Sequence, residues 1–184
     1  MEKANNPLSL GSATYAAKRA ADIIFTLQNR DKLDNARLVE RLNETLRGYG
    51  EESRVSTADL ESLETVAQKL LVVFSASDTE EASHLLNGLL KEYASAPRLS
   101  SHGNSSWHIH VDGSDHASWD EWLASSSALA LAILLAEKQR NPCGLCASPS
   151  CKRPFIDLGK GGGRSYCSPK CATRERVAAY RKRI

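Results

Sequence analysis

The first 142 residues of this chain contain no cysteine; all five, Cys143, Cys146, Cys151, Cys167 and Cys171, crowd into the last quarter. An odd number confined to one end does not make a disulfide framework, and a reducing compartment with metal-bound thiolates fits better. Long hydrophobic runs are missing too. The longest is Ala128 to Ala136, too short to cross a bilayer, so no membrane partner is expected. The N-terminus lacks a basic-then-apolar leader, so the chain is expected to remain in the cytoplasm. There is no internal repeat. No catalytic constellation is present either: Ser105-Ser106 and Ser125-Ser126-Ser127 have no nucleophile context, and the Gly159-Lys160-Gly161-Gly162-Gly163 loop lacks the Gly-Lys-Ser/Thr ending of a phosphate-binding loop. The chain is therefore expected not to be an enzyme.

What is present is a globular composition, 41% hydrophobic and 25% charged over 184 residues, enough for one ordinary domain and a small appendage. Charge is divided unevenly. From Cys146 to the end there are ten basic residues against Asp157 and Glu175, a net of +8 in a chain that totals +2. Everything before therefore carries −6. Four thiolates on one zinc would add −2 to the tail and still leave it cationic. An acidic body and a basic end point to a polyanion as partner of the end alone.

Apolar residues recur at helical spacing from Ala13 to Gln28 and from Asn35 to Arg47, before Gly48 and Gly50 interrupt. Ser56 with Asp59 opens a third helix through Leu60, Leu63, Val66, Leu70 and Phe74, and Ser77 with Glu80 predicts the cap of a fourth through Leu85, Leu89 and Tyr93. Arg98–Ser101 and Trp107–Val111 predict a hairpin around the turn His102-Gly103-Asn104-Ser105. Asp115–Gln139 predicts a last long helix, stopped by Asn141-Pro142. On this reading residues 13–140 are a multihelical body with a small β-hairpin, mainly α with some β. Residues 143–184 form a separate module on a very short joint.

The cysteines of that module are spaced Cys146-x4-Cys151, fifteen residues, then Cys167-x3-Cys171. Two close pairs suit a tetrahedral zinc ion, because each pair offers two sulfurs from one turn. Phe155–Leu158 and Arg164–Tyr166 predict a hairpin between the pairs. Ser168-Pro169 predicts the start of a helix with Cys171 in its first turn, where amide dipoles favour a thiolate. So few apolar side chains cannot fold the module alone, and the metal would supply on the order of 10 kcal/mol. Spacing leaves one ambiguity: Cys143-x2-Cys146 is also a common knuckle, which would make Cys151 the spare.

The stretch from Cys146 to Arg183 resembles the CGNR zinc finger. Cys146 and Cys151 match its first pair, Phe155 and Asp157 its F-x-D, and Arg164 and Cys167 the following element. Cys171 and Arg174 match the ends of the tetrapeptide that names it. Ser165 and Ala172-Thr173 depart from the pattern, as do Gly159 and Gly161. The body resembles the ABATE domain found with that finger, chiefly through the strand Trp107-His108-Ile109-His110, the helix after it and its place before the finger. The resemblance implies Zn2+ held by Cys146, Cys151, Cys167 and Cys171 with Cys143 left out, and a treble-clef-like finger of hairpin and basic helix. It further implies a stress-induced bacterial transcription regulator, working at the nucleoid.

Charge patterning extends that expectation to contacts. Arg164, Lys170, Arg174, Arg176, Arg181, Lys182 and Arg183 are the expected DNA-binding residues, with Arg174 and Arg176 nearest base edges. In the body, His108, His110 and Asp112 alternate with Trp107, Ile109 and Val111; the apolar set is expected to face the core, leaving His108 and His110 for a metal or anionic ligand. The expected function is a DNA-binding regulator whose body senses a small-molecule effector or forms a homodimer, with a shift of the last body helix reorienting the finger. The alternatives are an RNA-binding or protein-docking zinc ribbon, and a metal-dependent enzyme centred on His108 and His110.

Overall fold

The computed structural model describes residues 10–51, 54–101, 107–159 and 163–182. Four helices precede the first hairpin: α1 (Leu10–Leu27), α2 (Asn35–Gly48), α3 (Leu60–Ser75) and α4 (Thr79–Tyr93). Each follows an apolar stripe of helical period, and in α3 the stripe Leu60, Leu63, Val66, Ala67, Leu70, Val73 and Phe74 is buried throughout. Caps fix the starts. Asp34 accepts from the amide of Arg37 at 2.8 Å to open α2. Asp59 accepts from the amide of Ser56 at 2.7 Å, as predicted for α3. The fourth start lies one residue later than predicted: Asp78, not Ser77, caps α4 by accepting from Glu81 at 2.9 Å, and Glu81 reaches back to the amide of Ser77 at 2.6 Å.

Strands β1 (Arg98–Ser100) and β2 (His108–His110) pair antiparallel, Leu99 opposite Ile109. The turn predicted at residues 102–105 lies outside the described residues. The last body helix, α5 (Trp119–Lys138), begins four residues after the predicted start, because residues 114–117 form a turn and Ser118 is the N-cap. It ends where predicted, with Gln139 left-handed at φ 53° and its amide on Leu135 at 2.8 Å. Helix α5 packs against α1, α3 and α4. Its Ala- and Leu-rich sequence suits that central place, since Leu123, Ala124, Ala128, Leu131 and Leu134 are fully covered. One cation is buried with them: Arg19 bonds Glu51 at 2.6 Å and Ser126 at 3.1 Å and lies 4.0 Å from the centre of the Trp122 ring. No helix among the described residues is long and apolar enough to cross a membrane.

Strands β3 (Cys143–Leu145) and β4 (Pro154–Ile156) form the second hairpin, and α6 (Pro169–Arg181) closes the chain. This corrects the predicted pairing. Phe155 and Ile156 pair with Gly144 and Cys143, whereas Arg164–Tyr166 form no strand. The hairpin is also part of the body. Cys143 and Ile156 belong to the same buried cluster as α1, α3 and α5, with Leu145 and Leu158 packed against it. Arg153 pairs with Asp22 of α1 at 2.7 Å and lies over Phe25. Arg140 pairs with the buried Asp157 at 3.1 Å, and the amide of Asp157 bonds Pro142 at 2.7 Å. Beyond the short joint at Asn141-Pro142, the hairpin meets the body in a packed seam.

Candidate metal centre and basic helix

Everything that places the cysteines is local. Cys146 leaves β3 with its amide on Arg153 at 3.0 Å, and the chain turns through Ser148–Cys151, where the amides of Cys151 and Lys152 both reach the Ser148 carbonyl at 2.9 and 3.3 Å. Lys152 takes the left-handed conformation, φ 54°, that ends the knuckle. The second pair comes from the start of α6. Ser168 accepts from the amide of Cys171 at 3.3 Å and Pro169 fills the first helical position, both as predicted. The amide of Ala147 bonds Ser165 at 2.8 Å and ties one pair's loop to the other's.

The result is a convergence of four sulfurs. Cys146, Cys151, Cys167 and Cys171 lie within 4.8 Å of one another. Cys167 is 3.7 Å from both Cys151 and Cys171. A tetrahedral ion with Zn–S bonds of about 2.3 Å sets its sulfurs roughly 3.8 Å apart, so the donor set fits zinc in number, type and spacing. The same distances are far from a disulfide bond, and all five cysteines are free. Cys143 is not a fifth ligand. Its sulfur turns into the body, 3.1 Å from Asn141 Oδ1 and 3.8 Å from the Val73 carbonyl, and burial pushes its thiol up to about 12. That resolves the ambiguity left by the spacing.

The thiols differ before any ion arrives. The Ser168 hydroxyl and neighbouring thiols draw Cys171 down to about 7, while burial and the same neighbours push Cys167 up to about 12. Four acidic groups this close cannot all ionise without a cation among them.

A polar layer backs the sulfurs. Ser148 is fully buried; its hydroxyl donates to Glu175 at 2.5 Å and accepts from Arg174 at 2.6 Å, and Arg174 also reaches the Cys171 sulfur at 3.5 Å. Such contacts orient ligands and offset thiolate charge. On the far side of β4, Asp157 accepts from the amides of Gly159 and Arg164 at 3.0 and 2.9 Å. Burial would raise its carboxyl, but those two amides and the Arg140 guanidinium overcome it and hold the group below the usual range.

The expected DNA-binding residues divide into two sets. Arg164 donates to the Ile156 carbonyl at 2.8 Å and lies beside Asp157, and Arg174 is bound to Ser148, so both are engaged within the finger. Lys170, Arg176, Arg181 and Lys182 are exposed. Arg183 lies outside the described residues. Glu175, the one acid of α6, turns inward onto Ser148. The outward ridge carries Thr173, Val177 and Tyr180, the last two 43% and 67% exposed, between those cations.

The histidine ribbon differs from its predicted orientation. Trp107 is 68% and Leu99 67% exposed, whereas Asp112 is buried and His108 and His110 are half-covered. Burial does not follow the alternation: β2 is half-covered at all three positions, and beyond it Val111 and Asp112 are both buried, Val111 as expected and Asp112 because Arg98 at 2.6 Å and His110 at 3.1 Å satisfy it. Sequence reasoning also missed Ser148 and Glu175. A small polar residue two places after Cys146 was the only trace of that contact.

Compared with curated proteins, the chain matches none. Residues 143–184, the stretch that holds the hairpin, the four converging sulfurs and α6, match the family model of the CGNR zinc finger.

Proposed function

We propose that this protein is a DNA-binding transcriptional regulator that uses the zinc-stapled finger to present α6 to the duplex. The observation that carries this reading is the sorting of charge on α6: its acid is turned in and bonded, and its solvent side keeps only cations among charged groups. The zinc, held by Cys146, Cys151, Cys167 and Cys171, fixes the start of that helix. Lys170, Arg181 and Lys182 neutralise phosphates, Arg176 takes the place nearest a base edge, and Thr173 and Val177 offer methyl groups to the groove. Arg174 and Arg164 act by holding the finger's shape.

In this reading the body is an ABATE-like sensor or dimerisation unit acting in the cytoplasm under stress. The open groove between α1 and α3, bordered by Leu27, Gln28, Arg30, Glu64, Gln68 and Leu71, is where a small effector would enter. The packed seam carries its effect to the finger as a shift of α1 rather than as a swing about the joint.

The test is fluorescence anisotropy with a labelled duplex across a salt series. Arg181→Ala is expected to weaken binding to every sequence alike and to flatten the log–log salt slope by about one. No duplex binding by the zinc-loaded chain at low salt would end the proposal. The exposed Val177 and Tyr180 favour one second reading, a protein-docking finger. Val177→Ala with Tyr180→Ala would then abolish capture of an acidic protein partner while duplex binding was never present.

A further inference from the structure

Away from the four-cysteine centre, two further ligand-type side chains stand together among the described residues. His108 and His110 alternate on β2, so their rings project from one side of the ribbon, and their Nε2 atoms stand 2.8 Å apart. Behind His110, Nδ1 lies 3.1 and 3.2 Å from the two oxygens of Asp112. That carboxylate is buried and fixed in turn by Arg98 at 2.6 Å.

Proton bookkeeping gives this arrangement a direction. A carboxylate only accepts, so Nδ1 of His110 carries a proton, and in the neutral ring its Nε2 then presents a lone pair. That lone pair points at Nε2 of His108. Two imidazole nitrogens facing each other require something positive between them, either the proton of one ring or a metal ion bound to both. A carboxylate on the far nitrogen of an imidazole is the usual support of a metal-bound histidine, since it fixes the tautomer and raises the ring's basicity. At Zn–N distances of about 2.0–2.1 Å a tetrahedral ion sets two nitrogens roughly 3.3 Å apart, so the rings would part by about half an ångström and turn until both nitrogens aim at one point. The side chain of His110 retains 14% exposure.

We propose that His108 and His110 form a second metal site, a two-histidine chelate for a borderline divalent cation such as zinc or nickel, with Asp112 as its positioning residue. The two imidazole nitrogens are the protein ligands of this proposal, and water or a small anion would fill the other positions. The site is chemically distinct from the finger: nitrogen donors on the body suit nickel as well as zinc, whereas four thiolates form a closed structural centre.

The experiment uses the full chain loaded with one zinc, dialysed against nickel and then against buffer, with both elements counted by mass spectrometry. The expected result is one zinc and one nickel per chain. His108→Ala and, separately, His110→Gln are expected to keep the zinc, which reports an intact finger, with circular dichroism reporting the body, and to lose the nickel. Asp112→Asn is expected to retain both ligands and bind nickel 10- to 100-fold more weakly. Nickel gained only with equal loss of zinc, nickel held equally by both histidine variants, or no nickel at all would overturn the proposal. None of these outcomes bears on duplex binding.

Discussion

The body and the finger solve the same problem with different materials. The body buries an apolar stripe from each of its helices around α5, and its stability comes from area removed from water. The finger has Phe155, Ile156 and little else to bury. It relies on four sulfurs around an ion, on Ser148 between Glu175 and Arg174, and on Asp157 between two amides and Arg140. The first kind of stability is spread over many contacts and tolerates local damage. The second is concentrated in a few, and most of it in the ion.

The sharpest way to break this comparison is to remove the metal. A chelator, or Cys171→Ser, should cost the finger on the order of 10 kcal/mol of folding free energy. Hydrogen exchange should show amides of residues 146–182 losing protection while α1, α3 and α5 keep theirs. A body that melted together with the chelated finger would mean that the two are one cooperative unit. Next in size is damage to the body. Leu134→Ala removes a fully covered side chain from α5 and should cost about 2–5 kcal/mol in denaturant unfolding, with the thiolate-bound zinc retained. The smallest effect is expected at the polar layer. Ser148→Ala leaves Glu175 and Arg174 without their shared partner and should lower stability by about 1–2 kcal/mol. Zinc should still bind but should pass faster to a competing chelator; an unchanged transfer rate would remove Ser148 from the account of the metal site.

How much of this was legible in the residues also divides along the seam. The stripe from Leu60 to Phe74 and the Ala–Leu run after Leu123 announce buried helices, because helical periodicity is a local property that survives tertiary packing. The four metal ligands were legible for a related reason: Cys146-x4-Cys151 and Cys167-x3-Cys171 are each set by one turn of chain. What was not legible is what pairs across distance. Cys143-Gly144-Leu145 is too short to show an alternation, and part of it resembles a knuckle, so nothing in it announces a strand for Phe155 and Ile156. Arg164 and Arg174 look like two more cations of a basic end, and only their partners, Ile156 and Ser148, set them apart. The histidine ribbon misled in the opposite way. A two-stranded ribbon of three residues each is too narrow to sort burial by side: Trp107 stays exposed, Ile109 is half-covered like the histidines, and Val111 and Asp112 are both buried.

The shared hairpin has one more consequence. The strand that begins with Cys143 in the body's interior ends one residue before the ligand Cys146, and β4 returns from the knuckle to place Ile156 beside Cys143. A graft of residues 143–184 onto another protein would therefore carry a raw oily underside made for α1 and α3. To travel well, the finger needs either a recipient with a matching hollow or polar replacements at Cys143, Leu145 and Ile156.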